Sequence, residues 1–550
     1  MIENERAGMS RRSFITGAAA TGALAAAAGL MGCVPQESSG GDAASSGEAA
    51  SNAAAGGHSW DVKPDPIAES DIAETVDCDV LVIGAGNSGV AAACSSIEKG
   101  LKVVVVEKTS SVNGRGGGVG ACNSRLNKEL GHEIEPIAAQ YRWNRTCGNR
   151  NNERLVSQWF HNSGKAMDWL LDKADQYGAT YTLYAGYSHS RVLPEEPDFH
   201  TFQAGSFAVP TEAGYFVPTA LLYQSCLDQG VEFLFEHTAQ QLVQDADGKV
   251  TGAVVADADG AYKQFNAAKG VVLATGDIAG DHEMREAYFE PLFVDMRSDY
   301  MPEGVNTGDG HKMGMWAGGA MQDGPFPNAL HPQGGSMFHG PFMFVNKEGK
   351  RFFNEGTWMQ ARSLHIMQQT DYEAYWIFDG NWHEGYLKGL EVGGGIWWSG
   401  FNDEAAAVEE WEGYIEKGLA WKADTLEELA DKMGVDKASF LDSVDRYNGF
   451  AETGEDLDYH KDPILMSTYT QPPFYGLKVG ASLLVVVGGL KVDLDCRVLT
   501  ADGETIPNLF AVGNCQGGLF ANDYPLVIPA CSVGRCLAFG HELGKYLATA

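Results

Sequence analysis

Residues 79–107 constrain this 550-residue chain more than any other stretch. Asp79-Val80-Leu81-Val82-Ile83 is a β-branched apolar run that reads as a buried parallel strand. Gly84-Ala85-Gly86-Asn87-Ser88-Gly89 follows at once, and Val90 to Lys99 reads as a helix stopped by Gly100. Leu101 to Val106 is a second buried strand ending in Glu107, 18 residues after Gly89. The hexapeptide alone is a weak sign, but its setting between two strands is specific for a dinucleotide-binding α/β unit. Gly84, Gly86 and Gly89, with Ser88 among them, allow a tight turn and close approach of a pyrophosphate. The helix N-terminus then offers partial positive charge to the phosphates. Glu107 stands where a carboxylate accepts hydrogen bonds from ribose hydroxyls, with Lys108 beside it.

The motif does not by itself separate NAD from FAD; the rest of the chain does. A second glycine-rich loop, 113–121, follows the acid and includes Arg115, Gly116, Gly117 and Gly118. Val271-Val272-Leu273-Ala274-Thr275-Gly276 is another buried strand ending in a glycine turn. Near the other end, Leu509-Phe510-Ala511-Val512-Gly513-Asn514 repeats that pattern. One nucleotide domain assembled from both ends of the chain is the layout of large FAD enzymes. Glycine, 68 of 550 residues against a typical ~7%, suits many places where backbone approaches a ligand.

Further motifs fall in a fixed order: Asn306-Thr307-Gly308-Asp309-Gly310, then Val345 to Glu355, Gly488 to Asp493, and Ile506 to Gly513. With these, the chain from about residue 76 to its C-terminus resembles the fumarate reductase and ketosteroid dehydrogenase flavoprotein family. The resemblance implies an α/β fold: a Rossmann-like FAD-binding domain split in sequence by an α+β capping domain, with substrate between cap and flavin. It adds Asp309, Gly513 and Asn514 to the FAD residues. Asn514 stands where the family has an acid, and its amide can still hydrogen-bond a ribityl hydroxyl.

The resemblance also frames the chemistry. Such enzymes pass hydride between flavin N5 and one carbon of a C=C bond, while an acid serves the neighbouring carbon. Fumarate reductases place a proton-donating arginine four residues after the Asn-Glu found here at Asn354-Glu355, but this chain has Met359. Arg362, one helical turn on, is the candidate substitute; the plain alternative is a structural arginine. The family's clamp histidine falls in the apolar run 483–487, and its second clamp arginine falls near Tyr524. Two cationic clamps are thus missing, which argues against fumarate and succinate. His331, in a His-Pro pair, is a candidate carbonyl or carboxylate partner; the alternative is a loop histidine with structural bonds. Tyr524-Pro525 resembles the ketosteroid dehydrogenase pair whose tyrosine polarises a carbonyl, so Tyr524 is a candidate electrophile or proton donor, or else a packed aromatic. The glycine run that follows it in those enzymes is absent here. Phe326, Phe338, Phe342, Phe344, Trp358, Trp397, Trp398 and Phe401 make the cap aromatic, which suggests an aromatic or polycyclic small-molecule substrate.

Composition bounds the rest. A formal charge of -34 repels phosphate backbones and argues against nucleic acid. The ten cysteines form no CxxC, so zinc, iron–sulfur and c-type haem spacings are lacking and no metal site is expected. Ser10-Arg11-Arg12-Ser13-Phe14-Ile15 before an Ala/Gly-rich run resembles a Tat export signal. Leu30-Met31-Gly32-Cys33 resembles a lipobox, with Cys33 the lipidated residue and the only membrane attachment. The expected order is a signal over 1–33, a flexible linker over 34–75, FAD-binding segments at 76–305 and 476–550, and the cap at 306–475. Within the first FAD segment, Val231 to Leu234 and Val250 to Ala256 suggest an antiparallel meander. The leading reading is an exported FAD-dependent reductase of an activated C=C bond, fed by a separate membrane-linked electron donor. A dehydrogenase running the opposite way and an electron carrier with a decayed catalytic set are the alternatives.

Overall fold

The computed structural model describes residues 57–184, 194–300, 302–332, 342–392 and 404–550. The export signal, Cys33, Phe338, Trp397, Trp398 and Phe401 lie outside the described residues.

The main sheet follows from the apolar runs. Its order is Arg497–Leu499, Thr505–Ala511, Tyr262–Leu273, Ile72–Ile83, Val103–Val106 and Glu232–Leu234. Every neighbour in that order is parallel except the first pair. The central runs are buried on both faces, as a parallel sheet covered by helices requires. Ile83 stands opposite both Val106 and Leu273, and Leu273 opposite Ala511. Four strands therefore end level, and the loops after them open at one edge.

Glu232–Leu234 corrects the expected meander. It extends the parallel edge beside Val103–Val106, because the helix Val217–Asp228 before it acts as a crossover. The antiparallel meander is instead Thr238–Gln244, Val250–Ala256 and Tyr262–Leu273. The helix Asn87–Ile97 packs on the final helix, Cys531–Thr549, across two glycines. A Cβ on Gly540 would lie 2.8 Å from the Ala91 Cβ, and one on Gly544 2.5 Å from the Ser95 Cβ.

The cap is a four-stranded antiparallel sheet in the order Met343–Asn346, Glu373–Phe378, Phe474–Gly480, Ala420–Ala423, with its own core around Trp376, Trp411 and Phe440. Its limits differ from those expected. The helix Asp309–Trp316 belongs with the nucleotide half, where Met313 joins the core, and the last central cap strand runs to Gly480. A two-stranded antiparallel ribbon, Asn328–His331 with Ser482–Val486, carries the chain in and out.

Part of the stretch expected as linker, from His58 onward, is packed on the folded unit. Trp60 stands just beyond the polar run, and a single large ring supplies surface worth burying. It is buried in a cluster with Phe326, Leu330, Leu483 and Val486, and stacks on His58 with centroids 4.4 Å apart. The Ser59 N–H and hydroxyl both donate to Glu283. Ile72 then begins the central strand.

Candidate active site

Because the four strands end level, the turns after Ile83, Val106, Leu273 and Ala511 meet. They wall one side of a cavity of about 1290 Å³. Ordinary small-molecule pockets occupy ~300–1,000 Å³, so this one has room for a dinucleotide and a substrate together. Its position, outside the carboxyl ends of parallel strands, is where such sheets bind ligands.

The glycines divide into two kinds. Gly84 has φ +107°, and a Cβ there would sit 2.4 Å from the Ala274 carbonyl oxygen. Gly89 would place a Cβ 1.9 Å from the Gly84 carbonyl oxygen, and Gly513, with φ +65°, one 2.3 Å from Ser88 Oγ. Gly118 would clash with Phe199 and the His200 carbonyl, both at 2.6 Å. Gly116 would bring a Cβ to 3.0 Å from Phe216. Those glycines let chain approach chain. Gly86 and Gly117 meet no protein atom closer than 3.7 Å, so their open side is the cavity. Missing side chains that leave room only for a ligand fit a pyrophosphate and a flavin. All the expected cofactor residues except Gly89 and Gly513 line the cavity.

The side chains add detail. Glu107 accepts from the Ala85 N–H at 2.7 Å and from the N–H and hydroxyl of Thr109, both at 2.9 Å. A carboxylate has about four acceptor sites, so one remains for a ribose. Lys108 and Asp309 pair at 2.7 Å and neutralise one another on the cavity wall. Arg115 lies over the Tyr300 ring at 4.4 Å and donates to the Asp299 carbonyl at 2.7 Å. Asn514 Oδ1 accepts from Arg535, which leaves its NH2 to face a ribityl hydroxyl. Two braces were not read from the sequence. Asn87 donates to the Arg115 carbonyl and accepts from its N–H, tying the two glycine loops together. Arg535, fully buried over Phe520, fixes Asn514. Asn87 sits at a variable position of GxGxxG, so sequence offered no sign of it.

At the far end of the cavity the structure brings His331 and Tyr524 together with Met359, Gln360, Leu484 and Val485. The apolar run thus stands on the cavity wall. His331 is carried by the ribbon opposite Ser482, whose hydroxyl donates to the His331 carbonyl at 3.3 Å and also to Asp299. The Tyr524 oxygen accepts from the Ser532 N–H at 3.1 Å and lies 3.2 Å from Ser532 Oγ. Burial pushes this phenol well above its usual range, so it stays protonated.

Arg362 does not join them. It is fully buried, its Nε donates to the Glu355 carbonyl at 3.1 Å, and among the described residues it is not part of the cavity lining and neither terminal nitrogen has a hydrogen-bond partner. Burial lowers the guanidinium to about 10. Among the described residues the structure does not set Arg362 beside Tyr524 and His331, as its expected role of substitute acid requires: its Nε is held by the Glu355 carbonyl, in the segment before the helix Met359–Ile366. The cap aromatics are corrected too. Phe342 and Phe344 are cap core, Phe326 packs at the ribbon, and Trp358 packs on the nucleotide-domain core. Among the described residues, the Phe and Tyr rings that line the cavity are Tyr184, Phe199, Phe202, Tyr215, Tyr300 and Tyr524, none of them from the cap.

Comparison with known proteins agrees with this geometry. The family model described as FAD binding domain matches residues 79–526. Vinyl phenol reductase of Lactiplantibacillus plantarum is 25% identical over 497 residues, covering 86% of this chain and 96% of the relative. The open conformation of a flavocytochrome c3 fumarate reductase superposes with a TM-score of 0.65 at 25% identity, over 90% of this chain and 82% of that one. The fold is shared with 3-ketosteroid-delta4-(5alpha)-dehydrogenase from Rhodococcus jostii RHA1, with a TM-score of 0.66, 22% identity and coverage of 88% and 99%. The chain therefore belongs to the FAD binding domain family, as an FAD-dependent oxidoreductase acting on CH–CH bonds.

Proposed function

We propose that the protein reduces the activated C=C bond of a largely apolar, aromatic or polycyclic enoate or enone, and not a dicarboxylate. One observation carries this reading: Met359, Leu484 and Val485 line the substrate end of the cavity, where a fumarate-type site needs cations. A dicarboxylate there would lose the charge-assisted bonds that repay its desolvation. Similarity to an enzyme named for vinyl phenol supports an aromatic substrate.

Reduced FAD, when bound, supplies a hydride to one alkene carbon. Tyr524 holds a proton at its phenolic oxygen for the neighbouring carbon, and the Ser532 N–H orients that oxygen. His331 offers a ring nitrogen to the activating carbonyl. Leu484, Val485 and Leu526 exclude water from the reacting bond. Tyr524-Pro525 also favours a second reading, dehydrogenation beside a ketone, in which the same phenol polarises the carbonyl.

We further propose that the enzyme works outside the cytoplasm, tethered at Cys33, and takes electrons from a separate membrane-linked donor in anaerobic electron disposal. The twin arginine and the lipobox-like run support this. The test is anaerobic: reduce the flavin of the purified protein, then add fumarate, cinnamate, vinyl phenol, urocanate or an enone steroid. Rapid reoxidation by an aromatic or polycyclic member, with fumarate inert, is the expected result. Turnover of fumarate alone would overturn the substrate reading. Reoxidation by none of them, with flavin bound, would favour the dehydrogenase.

A further inference from the structure

The ribbon that carries His331 has two short strands, and two strands alone hold weakly in water. Its ladder is also broken. Ala329 stands opposite Val485 and Leu330 opposite Leu483, so Leu484 has no opposite residue and forms a β-bulge. Successive residues of a regular strand face opposite sides. The bulge lets Leu484 and Val485 both line the cavity. The ladder loses its register at Leu330, the residue before His331.

The return strand is held from the nucleotide half. The Leu483 N–H donates to the Arg297 carbonyl and the Leu483 carbonyl accepts from the Asp299 N–H, both at 2.8 Å. The Val486 N–H donates to Asp277, beside the Gly276 turn, at 3.0 Å. The outgoing strand is held from the helix Met359–Ile366. Gln360 Nε2 donates to the Asn328 carbonyl at 2.8 Å, and Gln360 Oε1 accepts from the Leu330 N–H at 2.7 Å. A carbonyl and the N–H two residues on are the groups that one residue of a parallel neighbour would pair. One side-chain amide thus stands in for a third strand where the ladder is broken. Asn328, Leu330 and Gln360 are all buried, so neither backbone group can turn to water instead. Gln360 also lines the cavity, next to Met359.

We propose that Gln360 is a positioning residue that fixes the direction of the His331 ring toward the substrate carbonyl. The proposal rests on the reading of His331 as the carbonyl partner. Gln360 holds the strand just before His331, and the Ser482 hydroxyl holds the His331 carbonyl just after its Cα. Without the amide, the bulge is free to slip along the ribbon, and a slip of one residue turns side chains to the other face. That slip would move His331 and the apolar pair Leu484 and Val485 together, because they share one ladder. A methionine would fill the same space, so packing alone does not require an amide here.

Gln360→Met keeps the length and removes both bonds. Gln360→Asn keeps the amide but is one methylene too short to reach both partners, and serves where Gln360→Met does not fold. Gln360→Glu, kept neutral by burial, retains one donor and one acceptor. Single-turnover reoxidation of reduced holoenzyme, with the panel compound that wild type reduces, should slow about 10-fold in Gln360→Met and in Gln360→Asn. Gln360→Glu should stay within about 3-fold of wild type, and FAD content should be unchanged in all three. In a His331→Ala background, adding Gln360→Met should change the rate less than about 2-fold, because the ring it directs is gone. A slow His331→Ala beside a wild-type rate in Gln360→Met would overturn the positioning role and leave the reading of His331 intact. Additive losses would overturn it too, since Gln360 would then act on another group. A wild-type rate in His331→Ala would remove His331 from the chemistry, and the positioning role with it. In histidine-labelled holoenzyme, the ring resonance that His331→Ala deletes should move in Gln360→Met and return in Gln360→Glu. An unmoved resonance would overturn the proposal even where no compound reoxidises the flavin.

Discussion

Gly86 and Gly89 belong to one hexapeptide but face different partners, and alanine at each should separate cofactor binding from folding. Gly86 has φ −81°, which alanine adopts freely, and its nearest non-neighbour is the Asn113 carbonyl oxygen at 3.7 Å. Gly86 is the N-cap of the helix Asn87–Ile97, so Gly86→Ala should cost the apo-protein only the capping penalty of alanine, about 1 kcal/mol. The added methyl would point into the space meant for the pyrophosphate, so FAD affinity should fall at least 10-fold, about 1.4 kcal/mol. Gly89→Ala would put a Cβ 1.9 Å from the Gly84 carbonyl oxygen and 3.2 Å from the Ala274 Cβ. The first of these is backbone and cannot rotate away, so the cost belongs at the upper end of the ~1–3 kcal/mol range for overpacking. For a folded unit of about 490 residues that is only a few degrees in melting temperature, so a denaturant midpoint is the better readout. The assay strips the flavin, measures apo-protein unfolding in urea, then titrates FAD by fluorescence quenching. Unchanged FAD affinity in Gly86→Ala would refute the argument, because the pyrophosphate would not then lie against that glycine. Equal destabilisation of both apo-proteins would refute the division of roles.

Other changes test the substrate end and the cap. Tyr524→Phe should slow flavin reoxidation about 100-fold or more with FAD content unchanged, read by stopped-flow absorbance; a wild-type rate would remove the phenol from the chemistry. Arg362→Met should keep activity within a few-fold and leave stability level or higher, since a buried cation with unpartnered nitrogens is replaced by an apolar chain. A hundredfold loss of turnover at constant flavin content would return Arg362 to the mechanism. In the cap, burial opposes ionisation of Asp456, but two bonds from Arg351, at 3.0 and 2.8 Å, hold its carboxyl down at about 2 against 3.8. The folded value lies below the unfolded one, so this stabilisation is complete above about pH 4 and fades as pH falls toward 2. Tryptophan fluorescence of the cap should report acid unfolding in that window, and Asp456→Asn should flatten it.

The nucleotide half was legible because its signals are local. An apolar run followed by a glycine states both a buried strand and its turn, and three such runs, level with a fourth that ends in Glu107, make the site. The substrate end depends on contacts between distant parts of the chain. Leu484 and Val485 reach the cavity only because Ser482–Val486 pairs with Asn328–His331, some 150 residues earlier. Their apolar character could be read against the family pattern because Gly488-Gly489 sets the register there, as Asn354-Glu355 does for Met359; a missing cation is visible from the motif alone. A replacement is not. Arg362 stands one turn from Met359, yet its bond to the Glu355 carbonyl decides its direction, and spacing does not encode that bond. Phe342 and Phe344 illustrate the same limit: composition counts rings but not whether a strand turns them into a core or a pocket. Gln360 is the extreme case. Between Met359 and Ala361 it reads as an ordinary helix residue, and only its two bonds to the ribbon mark it.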